Sequence, residues 1–198
     1  MKQILFATLV GAFALASATA QEIGKAAPPF TATDAKGAAV SLADLKGKVV
    51  VLEWVNFDCP FVKKHYASGN MQKLQAKSTG KGVVWLTIHS AGEGKPAYVE
   101  PSKLGELADS KGCKSSHVIA DGKGTIGKVY DAKVTPQMFI IDPEGKLAYD
   151  GAIDSKATTE TADVDTADKW FANALDAVLA DKEVTNAKNK PYGCGVKY

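Results

Sequence analysis

The chain has 198 residues, with 24 lysines, no arginine, 22 acidic residues and three histidines, for a formal net charge of +2. Acidic residues are scattered among the lysines and no basic stripe forms, which argues against a nucleic-acid partner. After residue 20 no segment is apolar enough to cross a bilayer, so a membrane-spanning role is not expected of the rest.

In chain order, Met1 to Ala20 carries one lysine, an uncharged run from Ile4 to Ala16 and then Ala18-Thr19-Ala20. This is the pattern of a secretory signal peptide, and it predicts cleavage before Gln21 with no membrane attachment afterwards. Residues 21–198 suit one domain. A turn-rich opening (Pro28 to Thr31, Ala35 to Gly37) precedes a buried strand, Val49 to Val55, and a helix is expected from about Pro60 to Ser78. A strand at Val83 to Ile88, a helix at Pro101 to Lys111, a short strand at His117 to Ala120 and a short helix around Ile126 to Asp131 follow. Met138 to Ile141 and Lys146 to Tyr149 read as a hairpin across Asp142 to Gly145, and Thr166 to Ala180 as a last amphipathic helix. The order predicts an α/β fold, a central mixed sheet flanked by helices. The tail ends in Pro191-Tyr192-Gly193-Cys194-Gly195-Val196-Lys197-Tyr198, a compact aromatic composition that suits docking on the domain better than disorder.

Chemistry concentrates at Cys59, where the apolar strand gives way to Asp58-Cys59-Pro60-Phe61-Val62-Lys63-Lys64. Unpaired N–H groups and the helix dipole favour the thiolate there. Pro60 suits the first helical turn; Lys63 supports the thiolate and Asp58 opposes it. Glu53 is a carboxylate inside an apolar strand: burial would raise its pKa towards that of a proton shuttle for the thiol, and a lysine-paired or solvated carboxylate is the alternative. Three cysteines, Cys59, Cys113 and Cys194, leave one unpaired if two join. Three arrangements stay open: Cys194 resolving an oxidised Cys59, a Cys113 to Cys194 bridge, or separate thiols. His65, His89 and His117 read as packing or surface residues, and no metal site is predicted. Gly122-Lys123-Gly124-Thr125-Ile126-Gly127 matches a dinucleotide fingerprint formally, but it lies late in the domain before a short helix, so no nucleotide is expected.

Phe30 to Asp34 with Val40 to Leu42, the strand with Asp58 to Lys63, Val134 to Asp142 and Gly193 to Tyr198 together resemble the thioredoxin-like redoxins, in the peroxiredoxin-like branch with alkyl hydroperoxide reductase and thiol-specific antioxidant proteins. The resemblance implies a thioredoxin-like fold, a reactive Cys59-Pro60, and a cis peptide bond before Pro136 facing the thiol, with Thr135 and Pro136 shaping the substrate surface. Two positions depart from the pattern: Asn56 stands where the peroxiredoxins place Thr or Ser, and Leu52 where they place Pro. The arginine used near the thiolate is also missing, and lysine does not reproduce its fork of donors. Relatives often carry a second cysteine at the position of Asn56, so a local dithiol cycle is excluded.

These readings predict an exported, periplasmic or secreted, thiol-dependent oxidoreductase. Cys59 would reduce peroxides or exchange with protein disulfides, with Cys194 or an external thiol protein restoring it and no bound cofactor required. The alternative is a non-catalytic thioredoxin-fold module that binds peptide or metal.

Overall fold

The computed structural model describes residues 22–198, so the predicted signal peptide lies outside the described residues. The strand predicted from Val49 is β3 (Val50–Trp54), and all five of its residues are buried. That explains its near-continuous apolar sequence, since it lies in the middle of a sheet covered on both faces. It pairs in parallel with β4 (Val84–His89) and antiparallel with β7 (Gln137–Ile141), with Leu52 opposite Leu86 and Phe139. β5 (His117–Ala120) extends the sheet beyond β4, and β8 (Leu147–Gly151) beyond β7, giving the order β5-β4-β3-β7-β8. Side chains alternate across β3. Val51 and Val55 join a core with α1 (Pro60–Ala67), α2 (Asn70–Thr79), α3 (Pro101–Ser110) and α6 (Trp170–Leu179). Val50, Leu52 and Trp54 face the other core, with Phe30, Leu42, and Ile126 of α4 (Thr125–Val129).

Three local readings change. The opening segment contains strands β1 (Thr31–Thr33) and β2 (Ala39–Ser41), joined by a turn in which Asp34 Oδ1 accepts the N–H groups of Lys36 and Ala38. Asp34 Oδ2 lies 2.7 Å from His117 Nδ1, which ties the hairpin over the edge strand β5 and shields that edge from other chains. The helix expected over 60–78 is two helices, because Gly69 adopts φ +72° between α1 and α2, a left-handed conformation glycine takes without steric cost. The helix expected over 166–180 starts later, as α6 at Trp170, and Thr166 instead ends a separate short helix, α5 (Asp163–Thr166). Between them Asp168 exchanges hydrogen bonds with Ser155, its N–H donating to the hydroxyl and its carbonyl accepting the Ser155 N–H. That tertiary tie outcompetes continuation of the helix.

The tail docks. β6 (Val134–Thr135) pairs antiparallel with β9 (Cys194–Gly195), with Thr135 opposite Cys194. Before it, the Asn189 side chain accepts the Ala152 N–H and donates to the Tyr149 hydroxyl. After it, the Val196 N–H donates to the Lys133 carbonyl and the Gly92 N–H to that of Lys197.

Candidate active site

The turn after β3 delivers Cys59 to the first turn of α1. Asn56 builds it: its Oδ1 accepts the Asp58 N–H at 2.9 Å and its carbonyl accepts the Cys59 N–H at 2.9 Å. Pro60 occupies the first helical turn, where an N–H would have no helical partner. The thiol beneath is 1% exposed. Lys63 does not serve it: its ammonium pairs with Asp58 at 3.5 Å on the surface, so both expected charges face solvent.

Two strands close over Cys59. Its Sγ lies 3.0 Å from the Thr135 carbonyl oxygen, a contact in which the neutral thiol donates, and the Thr135-Pro136 bond is cis, as the resemblance implies. From the other side β9 brings Cys194 to the position opposite Thr135, whose carbonyl oxygen contacts Cys59, and all three cysteines are unbridged. Burial pushes the Cys59 thiol up. Polar interaction with the Cys194 thiol, the Thr135 side chain and the N–H groups of Val62 and Cys194 outweighs burial and holds the Cys59 thiol below its ordinary value. Cys194 moves the other way, to about 11, through burial and then its bond to Cys59 and the charge there. One thiol is therefore set to lose its proton, and its neighbour to donate one.

A buried polar cluster, absent from the sequence reading, fastens the tail two residues before Cys194. The Tyr192 hydroxyl donates to Asp154 Oδ1 and lies 3.3 Å from His65 Nε2. Lys64 Nζ lies 3.5 Å from Asp154 Oδ2, donates to the Lys156 carbonyl at 2.7 Å and sits over the Tyr192 ring. Lys64 and His65 follow Cys59 on α1, so this latch joins the tail to the helix that carries the thiol. Lys64-His65 is visible in the sequence, but its partners lie about 90 and 128 residues away and give no local signal.

Burial drives the His65 imidazole down to about 4, with Lys64 and Lys169 adding to the effect and Asp154 opposing it. The unfolded chain binds that proton near 6.5, so the native state resists protonation through this window. Stability present above pH 6.5 should be lost as the pH falls towards 4, by up to roughly 3 kcal/mol. Urea unfolding at stepped pH checks this: His65→Gln should flatten the loss between those limits, and an equal loss in the variant would refute it.

Glycines accommodate the rest of the tail. A Cβ on Gly193 would fall on the Thr135 carbonyl group, 2.6 Å from its carbon. One on Gly124 or Gly127 would lie 2.9 or 2.5 Å from Cε1 of Tyr198. The dinucleotide-like glycines therefore make a socket for that ring, whose hydroxyl donates to the Ala132 carbonyl at 2.9 Å. Asp121, at the head of the motif, accepts the N–H groups of Ile126 and Gly127.

Glu53 is fully buried on the same sheet face as Cys59 but directs its carboxylate into another network. Tyr66 donates to Oε1, and Trp85, Gln75 and Thr87 donate to Oε2, at 2.8–3.1 Å. Burial pushes the carboxyl up against these four bonds, which pull it down. Cys113 borders this network, 3.2 Å from the Ser115 hydroxyl and 3.8 Å from that of Tyr66, and it forms no bridge with Cys194, which lies opposite Thr135. Among the described residues no group of three or more His, Cys, Asp or Glu side chains could hold a metal ion.

The AhpC/TSA family model matches residues 23–150, well over half of the chain. The thiol-disulfide oxidoreductase ResA of Bacillus subtilis (strain 168) is 32% identical over 124 residues, 63% of this chain and 64% of its own length, so this chain spans just under two thirds of that relative. Among solved structures, an uncharacterized conserved protein from Geobacillus kaustophilus is 27% identical with a TM-score of 0.75, over 90% of this chain and 93% of that one. A putative thiol:disulfide interchange protein DsbE from Chlorobium tepidum, 23% identical, shares the fold with a TM-score of 0.53 over 66% of this chain and 85% of its own. The mixed sheet flanked by helices is thus a thioredoxin-like fold, and the chain belongs to the AhpC/TSA family.

Proposed function

We propose that this protein is an exported thiol–disulfide oxidoreductase with Cys59 as nucleophile and Cys194 as resolving thiol. The observation that carries the reading is the strand pairing that sets Cys194 opposite Thr135, whose carbonyl oxygen lies 3.0 Å from Cys59 Sγ, with one thiol pushed down and the other up. The likeness to a thiol-disulfide oxidoreductase supports disulfides as substrates. The lack of arginine leaves peroxide without the usual guanidinium partner. The signal-like Met1 to Ala20 supports a periplasmic or secreted location, where disulfides persist.

In the reaction the Cys59 thiolate attacks one sulfur of a partner disulfide. The S–S bond breaks, a mixed disulfide forms, and the partner's second sulfur leaves as thiolate. Cys59 then carries no charge, so the bond and the field that kept the proton on Cys194 both vanish. Cys194 loses its proton more readily, attacks the Cys59 sulfur and releases the partner as a thiolate. The partner gains two electrons, the protein holds a Cys59–Cys194 disulfide, and an external thiol protein reduces it. Thr135 and Pro136 shape the contact surface, Asn56 and Pro60 place the nucleophile, and Glu53 acts at a distance by anchoring Tyr66 of α1.

Peptide mapping without reductant, after one equivalent of a peptide disulfide or of hydrogen peroxide, tests this. A Cys59–Cys194 link is expected, and Cys194→Ser should leave Cys59 in a mixed disulfide or sulfenic acid that persists at least about tenfold longer. An unchanged lifetime would remove Cys194 from the reaction, and oxidation of Cys113 in place of Cys59 would overturn the choice of nucleophile.

A further inference from the structure

At 1% exposure with the tail in place, Cys59 offers no path to the sulfur of another protein. The tail covers it as a strand: β9 takes the edge of β6 and presents Cys194 opposite Thr135, the residue whose carbonyl oxygen lies 3.0 Å from Cys59 Sγ. Any other sulfur that reacts with Cys59 must take the place of the Cys194 sulfur. Resting on the reaction proposed above, we propose that Gly193–Tyr198 is a tethered occupant of the groove where the cysteine-bearing strand of a partner protein docks. Partner and tail therefore exclude each other.

The occupant shows what the groove accepts. Backbone pairing with Val134 and Thr135 selects an extended segment without reading its side chains. The position before the cysteine is restricted to glycine, since a Cβ there falls on the Thr135 carbonyl group. The position after it is open, because a Cβ on Gly195 would meet only the Lys133 carbonyl oxygen, 3.9 Å away. Four residues beyond the cysteine, an aromatic ring fits the notch of Gly124 and Gly127, where Lys128 Nζ lies 5.7 Å from its centroid. The fitting partner is thus a protein with a disulfide in an exposed extended strand, its cysteine preceded by glycine. Exclusion also gives the reaction its release step, because the returning tail brings Cys194 to the mixed disulfide and takes the partner's strand position.

The anchor at Tyr198, four residues beyond the cysteine, seats in the socket of Gly124 and Gly127, so changing it loosens the tail without substituting a residue that touches Cys59. In full-length protein carrying Cys194→Ser, the mixed disulfide of Cys59 with a glycine-cysteine peptide disulfide is trapped and timed by mass spectrometry. Adding Tyr198→Ala, or Gly127→Ala to crowd the same socket, should raise the rate at least about tenfold by increasing the open fraction. Tyr198→Phe, which keeps the ring, should stay near the parent rate. The peptide Tyr-Gly-Ser-Gly-Val-Lys-Tyr should slow trapping in the Tyr198→Ala protein, and the same peptide with alanine before serine should not. Equal rates in the parent and both loosened proteins would overturn tail exclusion, and equal inhibition by the two peptides would overturn the glycine requirement. If Cys59 forms no mixed disulfide in any of these proteins, the proposed reaction itself fails and this inference falls with it.

Discussion

Gly193→Ala is expected to unseat the tail and to raise the alkylation rate of Cys59 by at least about tenfold. The new methyl carbon would fall on the carbonyl group of Thr135, 2.6 Å from its carbon and 3.3 Å from the Pro136 nitrogen. These are backbone atoms of the loop against Cys59, with no flexible side chain to give way. Gly193 also has φ +139°, a conformation that side-chain-bearing residues rarely adopt. Relief requires separating β9 from β6, which removes the cover over Cys59 together with the donors from Cys194. The exposed thiol should then titrate higher than in the parent, so the gain in alkylation should be largest at alkaline pH. Gly195→Ala, one residue past the cysteine, is the matched control and should leave the rate unchanged. Iodoacetamide labelling with mass spectrometry of the Cys59 peptide measures both; equal rates in the two variants would show that the glycine before Cys194 does not hold the tail.

The second large effect concerns Glu53. Replacing it with leucine strands the indole N–H of Trp85 and the amide of Gln75 in a dry core, along with the Tyr66 and Thr87 hydroxyls. Buried donors left without acceptors cost about 1–3 kcal/mol each, so Glu53→Leu should lose at least roughly 3 kcal/mol in urea unfolding at neutral pH. Glu53→Gln keeps an acceptor for most of them and should lose much less. The sign with pH separates charge from packing. Burial holds the native carboxyl above its ordinary value of 4.5, so the folded state holds its proton more tightly than the unfolded one. Stability from this group is greatest below that value and declines as pH rises through the native pKa. Glu53→Gln should remove that decline and compare best with the parent on the alkaline side. Matched losses for the leucine and glutamine variants would mean that the hydrogen bonds carry little of the stability.

What could be read from the sequence was what local pattern encodes. The apolar run before Cys59, the proline after it and the hairpin around Asp142 to Gly145 each carry their own signal within a few residues. Gly69 was equally visible, but helical periodicity continues on both sides of it and hides the break that its positive φ makes. The site was legible in half. Cys59 and the Thr135-Pro136 turn stand in the sequence with recognisable neighbours, whereas Tyr192, Asp154, Lys64 and His65 acquire meaning only when the tail crosses α1. Gly122 to Gly127 show the same limit: the spacing read as a formal match with no nucleotide expected, and the group that seats on these glycines, Tyr198, lies more than 70 residues away. For Glu53 the sequence left burial and a solvated or lysine-paired carboxylate both open, and it could not say which donors would surround the buried group.

The separation of Cys59 from Cys194 along the chain has a thermodynamic meaning of its own. A bond between them closes a ring of roughly 135 residues, taking in nearly every strand of the central sheet. Cross-linking so long a segment removes much of the freedom of the unfolded chain, on the order of 5 kcal/mol in the simple loop-closure description. The bond proposed for turnover would therefore also be a clasp around most of the domain, and folding would make its formation more favourable than the same two cysteines would find it in a random chain. On the proposed reaction, electron transfer at this site and resistance to unfolding would be two readings of one equilibrium.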